Sequence, residues 1–341
     1  WDTTSHPLTK TEDGIWEIFI PNGKNSLEHE QLVKVRVLAN DETRDRIPAY
    51  ITRTVQDEKT KDFSGQIWRP EKRFRWFDKT FDPVSIQQPV IYEAHIGMAQ
   101  ENEGVGTYRE FADNILPRIK KGGYNCIQLM AIQEHPYYGS FGYHVSSFYA
   151  PSSRFGTPED LMYLINKAHK MEIAVIMDLV HSHAVKNIAE GLADFDGSGN
   201  QYFHKGGRGY HPSWDSYLFD YSNDEVLRFL LSNVRYWIEE FHFDGFRFDG
   251  VTSMIYHHHG DMVSFDHYDK YFKEQVDWDA IRYLQLANVL VHELKTGGIT
   301  IAEDMSGMPG MARKVMDGGI GFDFRLAMGI PDYWIKLLKH T

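Results

Sequence analysis

Three polar segments carry side chains of the kind that acid–base chemistry needs, and each follows an apolar run. Asp178 and His183 end the first run, Arg247 and Asp249 lie two residues apart in a Phe-rich stretch, and Glu303 follows Ile-Thr-Ile-Ala. Two carboxyl groups in different surroundings can divide the roles of nucleophile and proton donor between them. The sequence therefore predicts a two-carboxylate catalytic site, provided that the fold brings the three segments together.

The stretch at residues 243–254 reads as one buried strand. The side-chain period of two puts Arg247 and Asp249 on the same face of that strand. Burying this pair costs several kcal/mol unless the two groups satisfy each other, and the guanidinium favours the ionised carboxylate. We therefore predict a lowered pKa for Asp249 and a nucleophilic role at neutral pH. Taken alone, the pattern also fits a structural salt bridge at a strand end.

From Pro89 onward, short apolar runs alternate with segments of helical periodicity. The runs predict strands at 90–97, 126–132, 173–180, 243–254, 299–303 and 321–324. The segments between them predict helices at 108–121, from Thr157, at 224–241 and at 279–294. Apolar strands separated by helices indicate a parallel sheet, which is either doubly wound or closed as a barrel.

The positions of the polar residues favour the barrel. Acidic and His residues follow successive strands, which is where barrels assemble their sites, and no G-x-G-x-x-G turn follows any strand. We predict an α/β fold, a (β/α)8 TIM barrel of which about the first six units are present. Asp249 and Glu303 could then lie about 5 Å apart, the spacing of retaining glycosidases. The apolar neighbours of Glu303 should raise its pKa, so that it holds a proton at neutral pH.

Composition narrows the class of partner. Lys and Arg number 36 against 48 Asp and Glu, and the net charge of −12 argues against nucleic acid and anionic membrane surfaces. The 8 Trp and 19 Tyr suit stacking on neutral sugars. Cys126 is the single cysteine, so a disulfide framework is excluded and a reducing, cytoplasmic location is predicted. No apolar run approaches the roughly 20 residues of a membrane span.

The N-terminal part has a different pattern. Runs at 15–20 and 32–37 predict strands, with a turn at Pro21-Asn22-Gly23 between them. This predicts a small β-sandwich, short for its class, so that further strands are expected upstream of Trp1. The predicted division of the chain is a β-sandwich module at 1–68, an irregular linker at 69–88 and a catalytic barrel at 89–341.

In their order and spacing, the three polar segments resemble the conserved regions of the α-amylase superfamily of glycoside hydrolases and transglycosidases. Four longer segments resemble the glycogen (1,4-α-glucan) branching enzymes of the eukaryotic type. They are QLMAIQEHPYYGSFGY at 128–143, APSSRFGTPEDL at 150–161, GVTSMIYHHHG at 250–260 and AEDMSGMP at 302–309. The resemblance covers essentially the whole chain, and it implies that the N-terminal module binds carbohydrate.

The resemblance also implies roles for individual residues. Asp249 would be the nucleophile, Glu303 the proton donor and later the base, and Tyr143 a stacking platform for a sugar ring. The residues implied to line the subsite where the covalent intermediate forms are Tyr143, Asp178, His183 and Arg247. Those implied to contact glucan elsewhere are Trp1, Gly14 and Lys34 in the module, and Glu225 and Arg228 on the barrel. Asp178 and His183, taken singly, also fit an ordinary hydrogen-bond network at a strand end.

The chain departs from the superfamily pattern in one respect. The superfamily places a further carboxylate, an Asp preceded by His, beside the other two, and no His-Asp dipeptide occurs in this sequence. We therefore expect the polypeptide to continue past Thr341 with two further strands, the first of which supplies that pair. Residues 1–341 alone are expected to be inactive and prone to aggregate, because edge strands would be left unpaired.

Two further patterns invite a metal but have simpler explanations. The three histidines at 257–259 are consecutive and cannot easily converge on one ion, so they are predicted to form a wall of the acceptor cleft. The four methionines between 305 and 316 lack accompanying thiolates and imidazoles, so they are predicted to be packing residues. No metal and no cofactor is expected.

The resemblance implies a branching transglycosidase. Such an enzyme cleaves α-1,4-glucan through a glycosyl-Asp249 intermediate and passes the chain to a 6-hydroxyl, here as a monomer acting on glycogen or amylose. An amylase-type or debranching hydrolase would use the same carboxylates, and the residues around Asp249 do not separate transfer from hydrolysis. A non-catalytic glucan-binding protein is a further alternative, motivated by the missing carboxylate.

Overall fold

The computed structural model describes residues 1–21, 26–199, 201–327 and 329–340. Asn22 and Gly23 of the predicted turn lie outside the described residues, and so does Thr341.

Three small antiparallel sheets form the N-terminal module. β1 pairs with β2, β4 pairs with β5, and β7 lies between β3 and β6. These strands are β1 Thr9–Lys10, β2 Trp16–Glu17, β3 Leu32–Val33, β4 Val35–Ala39, β5 Glu42–Arg46, β6 Thr54–Gln56 and β7 Phe63–Gln66. The predicted strand at 15–20 is thus reduced to two residues, and Lys34 divides the predicted run at 32–37 into two strands.

Six parallel strands form the sheet that carries the predicted site, in the order β18-β17-β16-β12-β9-β8. The strands after the module are β8 Ile91–Ala94, β9 Cys126–Leu129, β10 Gln133–Glu134, β11 Ser147–Pro151, β12 Ala174–Leu179, β13 Ala184–Val185, β14 Tyr210–His211, β15 Ser216–Tyr217, β16 Gly245–Phe248, β17 Ile299–Glu303 and β18 Phe324–Leu326. The parallel pairing is confirmed, and five of the predicted strands lie where they were expected, most with shorter bounds. The last strand, predicted at 321–324, instead runs from Phe324 to Leu326.

Helices connect the parallel strands. They are α1 Tyr108–Glu110, a π-helical turn Phe111–Ile115, α2 Leu116–Lys121, α3 Pro158–Lys170, α4 Asp224–Phe241, α5 Val251–Ile255, α6 Trp278–Leu294 and α7 Gly329–Lys339. Short 3-10 turns lie at Pro83–Ser85, Tyr138–Ser140, Ser153–Phe155, Gly206–Gly209, Tyr268–Tyr271 and Val315–Asp317. Thr157 caps α3 through a capping box with Asp160, which confirms the predicted helix start.

The predicted strand at 243–254 is wrong in its second half. β16 ends at Phe248, Gly250 adopts a left-handed conformation with φ 65°, and α5 begins at Val251. A Cβ at Gly250 would lie 2.8 Å from the Trp214 ring and 3.0 Å from the Ser182 hydroxyl. Glycine adopts this backbone conformation with little strain, and the turn places Asp249 directly after the C-terminal end of β16.

The predicted linker is irregular but is packed against the barrel. We call residues 74–86 the strap, because it covers the N-terminal ends of the parallel strands. Trp76 stacks on His242 with ring centroids 3.8 Å apart, and Phe81 stacks on His169 at 4.4 Å. Phe81 and Ile86 also pack on a small apolar cluster from the strands, Cys126, Ala174, Ile176, Ile299 and Ile301. The strap thus closes this end of the sheet.

Buried arginines join the module to the barrel. Arg46 donates to the carbonyls of Gly191 and Ala193 at 2.7 and 2.8 Å, and Arg53 donates to Gly156 O at 2.6 Å. The module is therefore anchored on loops that follow the barrel strands. Its bounds at 1–68, with the linker at 69–88, remain a prediction.

Candidate active site

Strand register brings the three predicted segments together. Asp178 on β12 lies beside Arg247 on β16, and Arg247 lies beside Ile301 on β17. The Arg247 guanidinium contacts the carboxylates of Asp178, Asp249 and Glu303, with N···O distances of 3.0, 2.8 and 3.6 Å. One guanidinium cation thus contacts three carboxyl groups at the C-terminal end of the sheet.

Asp249 is only 13% exposed at its side chain. Burial raises the pKa of Asp249 above its ordinary value, and the hydrogen bond from Arg247 opposes this without reversing it. The predicted lowering of this pKa is therefore wrong. The prediction considered only the charge of Arg247, whereas in the fold burial of the Asp249 carboxyl group outweighs that charge.

Glu303 is 17% exposed at its side chain, and its Oε2 accepts a hydrogen bond from Gly250 N at 2.7 Å. Burial raises the pKa of Glu303, the negative charge of Asp249 raises it further, and Arg247 opposes both. This confirms the predicted direction. A carboxyl group that holds its proton and still faces solvent can act as a general acid.

Asp178 has no exposed side-chain surface. Its carboxylate accepts from Tyr143 OH at 2.5 Å and from Gln128 Nε2 at 2.8 Å, in addition to Arg247. Burial raises the pKa of Asp178 to about 7. The Asp178 carboxylate thus holds Tyr143 and Arg247 in place, and its own side chain has no contact with solvent.

His183 is buried and neutral at pH 7, because burial lowers its pKa to about 4. Its Nε2 lies 2.7 Å from Tyr143 O, and a carbonyl only accepts, so Nε2 carries the proton. Its Nδ1 then accepts from the Ser182 hydroxyl at 2.9 Å. That hydroxyl also lies 3.5 Å from Asp249 Oδ2, but its single proton goes to the nearer histidine.

Sequence reasoning missed three residues of this cluster: Gln128, Ser182 and Gly250. Gln128 connects Asp178 to Glu93, whose Oε1 lies 3.2 Å from the Gln128 amide. A signal was present, because Gln128 is a buried polar residue within an otherwise apolar strand. The contact from Gly250 N to Glu303 had no such signal, since it depends on the turn after β16.

The other predicted glucan contacts lie outside this cluster. Trp1 is 77% exposed and Lys34 Nζ lies 5.9 Å from its ring centroid, so these two residues come together. Gly14 sits in a turn at Thr11–Ile15, with a φ of 82°. Glu225 and Arg228 form an ion pair with each other on the exposed start of α4.

The consecutive histidines point in different directions. His258 stacks on Tyr256, with a centroid distance of 5.2 Å, whereas His257 and His259 line a small cavity of about 90 Å³ that Ser182 also lines. Among the described residues, no three His, Cys, Asp or Glu side chains form a group that could hold a metal ion. Met308 and Met311 are buried, but Met305 and Met316 are exposed, so the packing prediction holds for two of the four methionines.

Comparison with known proteins identifies the class. A family model of the alpha amylase catalytic domain matches residues 98–218, and one of carbohydrate-binding module 48 (isoamylase N-terminal domain) matches residues 1–51. The fold is similar to that of the pullulanase from Bacillus acidopullulyticus, with a TM-score of 0.64 and 19% identity over 87% of this chain and 36% of that one. The chain is therefore similar to an alpha amylase catalytic domain with a TIM-barrel sheet, preceded by a carbohydrate-binding module.

Curated relatives narrow the class further. The chain is 51% identical to the 1,4-alpha-glucan-branching enzyme of Dictyostelium discoideum over 99% of its own length and 50% of that protein. It is 50% identical to 1,4-alpha-glucan-branching enzyme 2-2, chloroplastic/amyloplastic, of Arabidopsis thaliana over 99% of its own length and 43% of that protein. The chain spans half or less of the length of these relatives, and the resemblance to branching enzymes is confirmed along nearly all of it.

Proposed function

We propose that the protein is a 1,4-α-glucan branching enzyme in which Asp249 is the nucleophile and Glu303 the general acid and base. The observation that carries the proposal is the pair of partly exposed carboxyl groups on one guanidinium, at 2.8 and 3.6 Å. The chain is 51% identical to a branching enzyme over 50% of the length of that protein, and this similarity favours transfer over hydrolysis.

In the first step, an Asp249 oxygen attacks the anomeric carbon of an α-1,4-linked glucose and the C1–O4 bond breaks. Glu303 gives its proton to the departing O4, so the leaving chain ends in a neutral hydroxyl. The glycosyl ester removes the negative charge of Asp249, which had favoured the protonated form of Glu303. Glu303 is therefore a weaker acid before this step than after it, as the change from acid to base requires.

In the second step, the Glu303 carboxylate accepts the proton of a 6-hydroxyl on an acceptor glucan. The hydroxyl oxygen attacks C1, displaces Asp249 and forms an α-1,6 bond. Every bond broken is replaced, so the number of reducing ends does not change. A water molecule in place of the acceptor would give hydrolysis through the same residues.

The remaining predicted residues have supporting roles in this proposal. Arg247, Tyr143, Asp178 and His183 shape the subsite of the covalent intermediate. Trp1, Gly14 and Lys34, together with Glu225 and Arg228, hold distant parts of the glucan chain. The proposal includes a monomeric, cytoplasmic enzyme that uses no cofactor. Within the described part of the chain, no helix is long and apolar enough to cross a membrane.

Incubation of the full-length protein with amylose tests the function, with iodine staining and reducing ends followed together. Branching lowers the iodine colour without new reducing ends. Loss of colour with new reducing ends would make the protein a hydrolase, and no change in either would make it a glucan-binding protein. Glu303→Gln is the matched control, because it keeps the shape of the side chain and cannot carry the proton.

A further inference from the structure

Two neighbouring contacts connect the segment after β16 to the segment after β17. Gly250 N donates to Glu303 Oε2 at 2.7 Å, and Thr252 Oγ1 donates to Asp304 Oδ1 at 2.7 Å. The first contact holds the proposed acid directly. The second holds the residue next to it, to which the proposed mechanism gives no role.

Asp304 is fully buried and its carboxylate is saturated with donors. Oδ1 accepts from the Ser306 amide at 3.0 Å and the Ser306 hydroxyl at 2.6 Å, besides Thr252. Oδ2 accepts from Gly307 N at 3.0 Å and from Arg325 Nε at 2.8 Å. This one carboxylate therefore joins α5, the turn after β17 and strand β18.

Thr252 strengthens the same junction from the other side. Its hydroxyl oxygen accepts from Met305 N at 2.8 Å and from Ser306 N at 3.2 Å, while its proton goes to Asp304. The hydroxyl thus closes the turn that follows Glu303 onto the helix that follows Asp249. Valine would have the same shape but could make none of these bonds.

We propose that Asp304, held by Thr252, is the positioning residue that sets the geometry and the proton affinity of Glu303. This rests on the proposed catalytic role of Glu303. Side chains of consecutive residues at a strand end point to opposite sides, so Glu303 keeps some contact with solvent while Asp304 faces the protein interior. Fixing one side chain therefore restricts the direction of the other. A misplacement of about 1 Å at a reacting group can cost on the order of 100-fold in rate.

Asp304 also acts on Glu303 through its charge. Arg247 and Asp249 face it from β16 and the turn that follows, and Asp304 adjoins it on its own strand. The negative charge of Asp304 favours the protonated form of Glu303, as burial and Asp249 do. Arg325 on β18 partly neutralises Asp304. Removing Asp304 or Arg325 should therefore move the titration of Glu303 in opposite directions.

The test measures kcat, KM and the pH dependence of branching in the full-length protein. For Asp304→Asn we expect kcat to fall about 10- to 100-fold with KM within about twofold. The alkaline limb of its pH–rate profile should move down by about half a pH unit, and that of Arg325→Gln should move up. Asp266→Asn, which removes an exposed carboxylate paired with Lys270, is the control and should match the parent.

A second pair covers the case in which Asp304→Asn does not fold. Thr252→Val should lower kcat about tenfold, and Thr252→Ser, which keeps the hydroxyl, should restore it. An Asp304→Asn enzyme with the parent kcat and pH profile would overturn the inference, and so would equal activity of the two Thr252 variants. Glu303→Gln distinguishes failure of this inference from failure of the proposed function. A fully active Glu303→Gln enzyme would overturn the proposed function.

Discussion

Strand β16 carries a buried charge cluster at each end, and the two clusters differ in their balance of charge. At the C-terminal end, Arg247 alone faces three carboxyl groups, Asp178, Asp249 and Glu303. At the N-terminal end, Asp244 and Asp78 share His169, at 2.8 and 3.1 Å. Two further groups complete that second cluster: Lys295 Nζ lies 3.0 Å from Asp244, and His242 Nδ1 lies 2.7 Å from Asp78.

The difference in balance shifts the pKa values of the carboxyl groups in opposite directions at the two ends. At the C-terminal end, burial raises the pKa of all three carboxyl groups, and one guanidinium does not offset it. At the N-terminal end, burial alone would raise the pKa of Asp78, but hydrogen bonds from His169 and His242 together lower it. Burial alone would lower the pKa of His169, yet its bonds to Asp244 and Asp78 raise it. A shortage of cations thus raises the pKa of buried carboxyl groups, whereas hydrogen-bonded basic partners favour fixed ion pairs.

The two charge clusters also differ in their exposure to solvent. Asp249 and Glu303 keep a path to solvent, whereas the strap covers the other cluster, with Trp76 on His242 and Phe81 on His169. We infer that the open end performs chemistry and the covered end supplies stability. Substitutions at the two ends of β16 should therefore separate rate from stability.

The largest effect is expected from Asp249→Asn in the full-length enzyme. The amide cannot form the covalent ester, so branching should fall by at least about 1,000-fold, measured by iodine staining of amylose. The melting temperature should stay the same or rise, because the variant no longer buries a charge whose pKa the fold raises. Activity within tenfold of the parent would remove Asp249 from the mechanism.

The same substitution at the other end of β16 is Asp244→Asn, five positions earlier, and it should affect stability and not rate. It leaves His169 and Lys295 facing a neutral amide in a buried site, which should cost about 3 kcal/mol of unfolding free energy in urea titrations. Below its melting temperature the folded variant should branch amylose within about twofold of the parent. A large loss of kcat without a loss of stability would contradict the division of labour between the two ends.

The active end was largely predictable from sequence. A side-chain period of two pairs Arg247 with Asp249, and parallel strands converge at one edge, so Asp178 and Glu303 had to lie nearby. The direction of the pKa shift of Asp249 was not predicted, because burial of its carboxyl group outweighs the charge of Arg247. The depth of that burial depends on tertiary packing, which a strand pattern does not give.

The covered end was not predicted. The strap has no periodicity, and its partners are distant in sequence: Asp78 bonds to His169, 91 positions away, and to His242, 164 positions away. Gly250 was missed for a local reason, since the apolar pattern of β16 continues beyond the turn. Pattern reasoning thus finds elements and strand ends, and it misses contacts made by irregular segments.

Trp76→Ala tests whether the strap closes the N-terminal end. Loss of the ring stacked on His242 should lower the unfolding free energy by about 2 kcal/mol. Phe77→Ala is the matched control, because Phe77 is the next residue of the strap and is 52% exposed, and it should cost less than about 1 kcal/mol. Equal losses in the two variants, compared by urea titration, would show that the stack on His242 contributes nothing specific.

The smallest effect expected is a pH dependence from the covered cluster. The folded state raises the pKa of His169, so its contribution to stability is complete below the unfolded value of about 6.5 and is lost as pH rises through the folded value. Parent protein should therefore lose stability relative to His169→Gln between pH 6 and pH 9 in urea titrations at each pH. The exposed His267→Gln should follow the parent, since His267 contacts only its neighbour Asp269 at 3.8 Å among the acidic groups described. A constant difference between parent and His169→Gln across that range would mean that His169 is neutral in the fold and does not form an ion pair with Asp78 or Asp244.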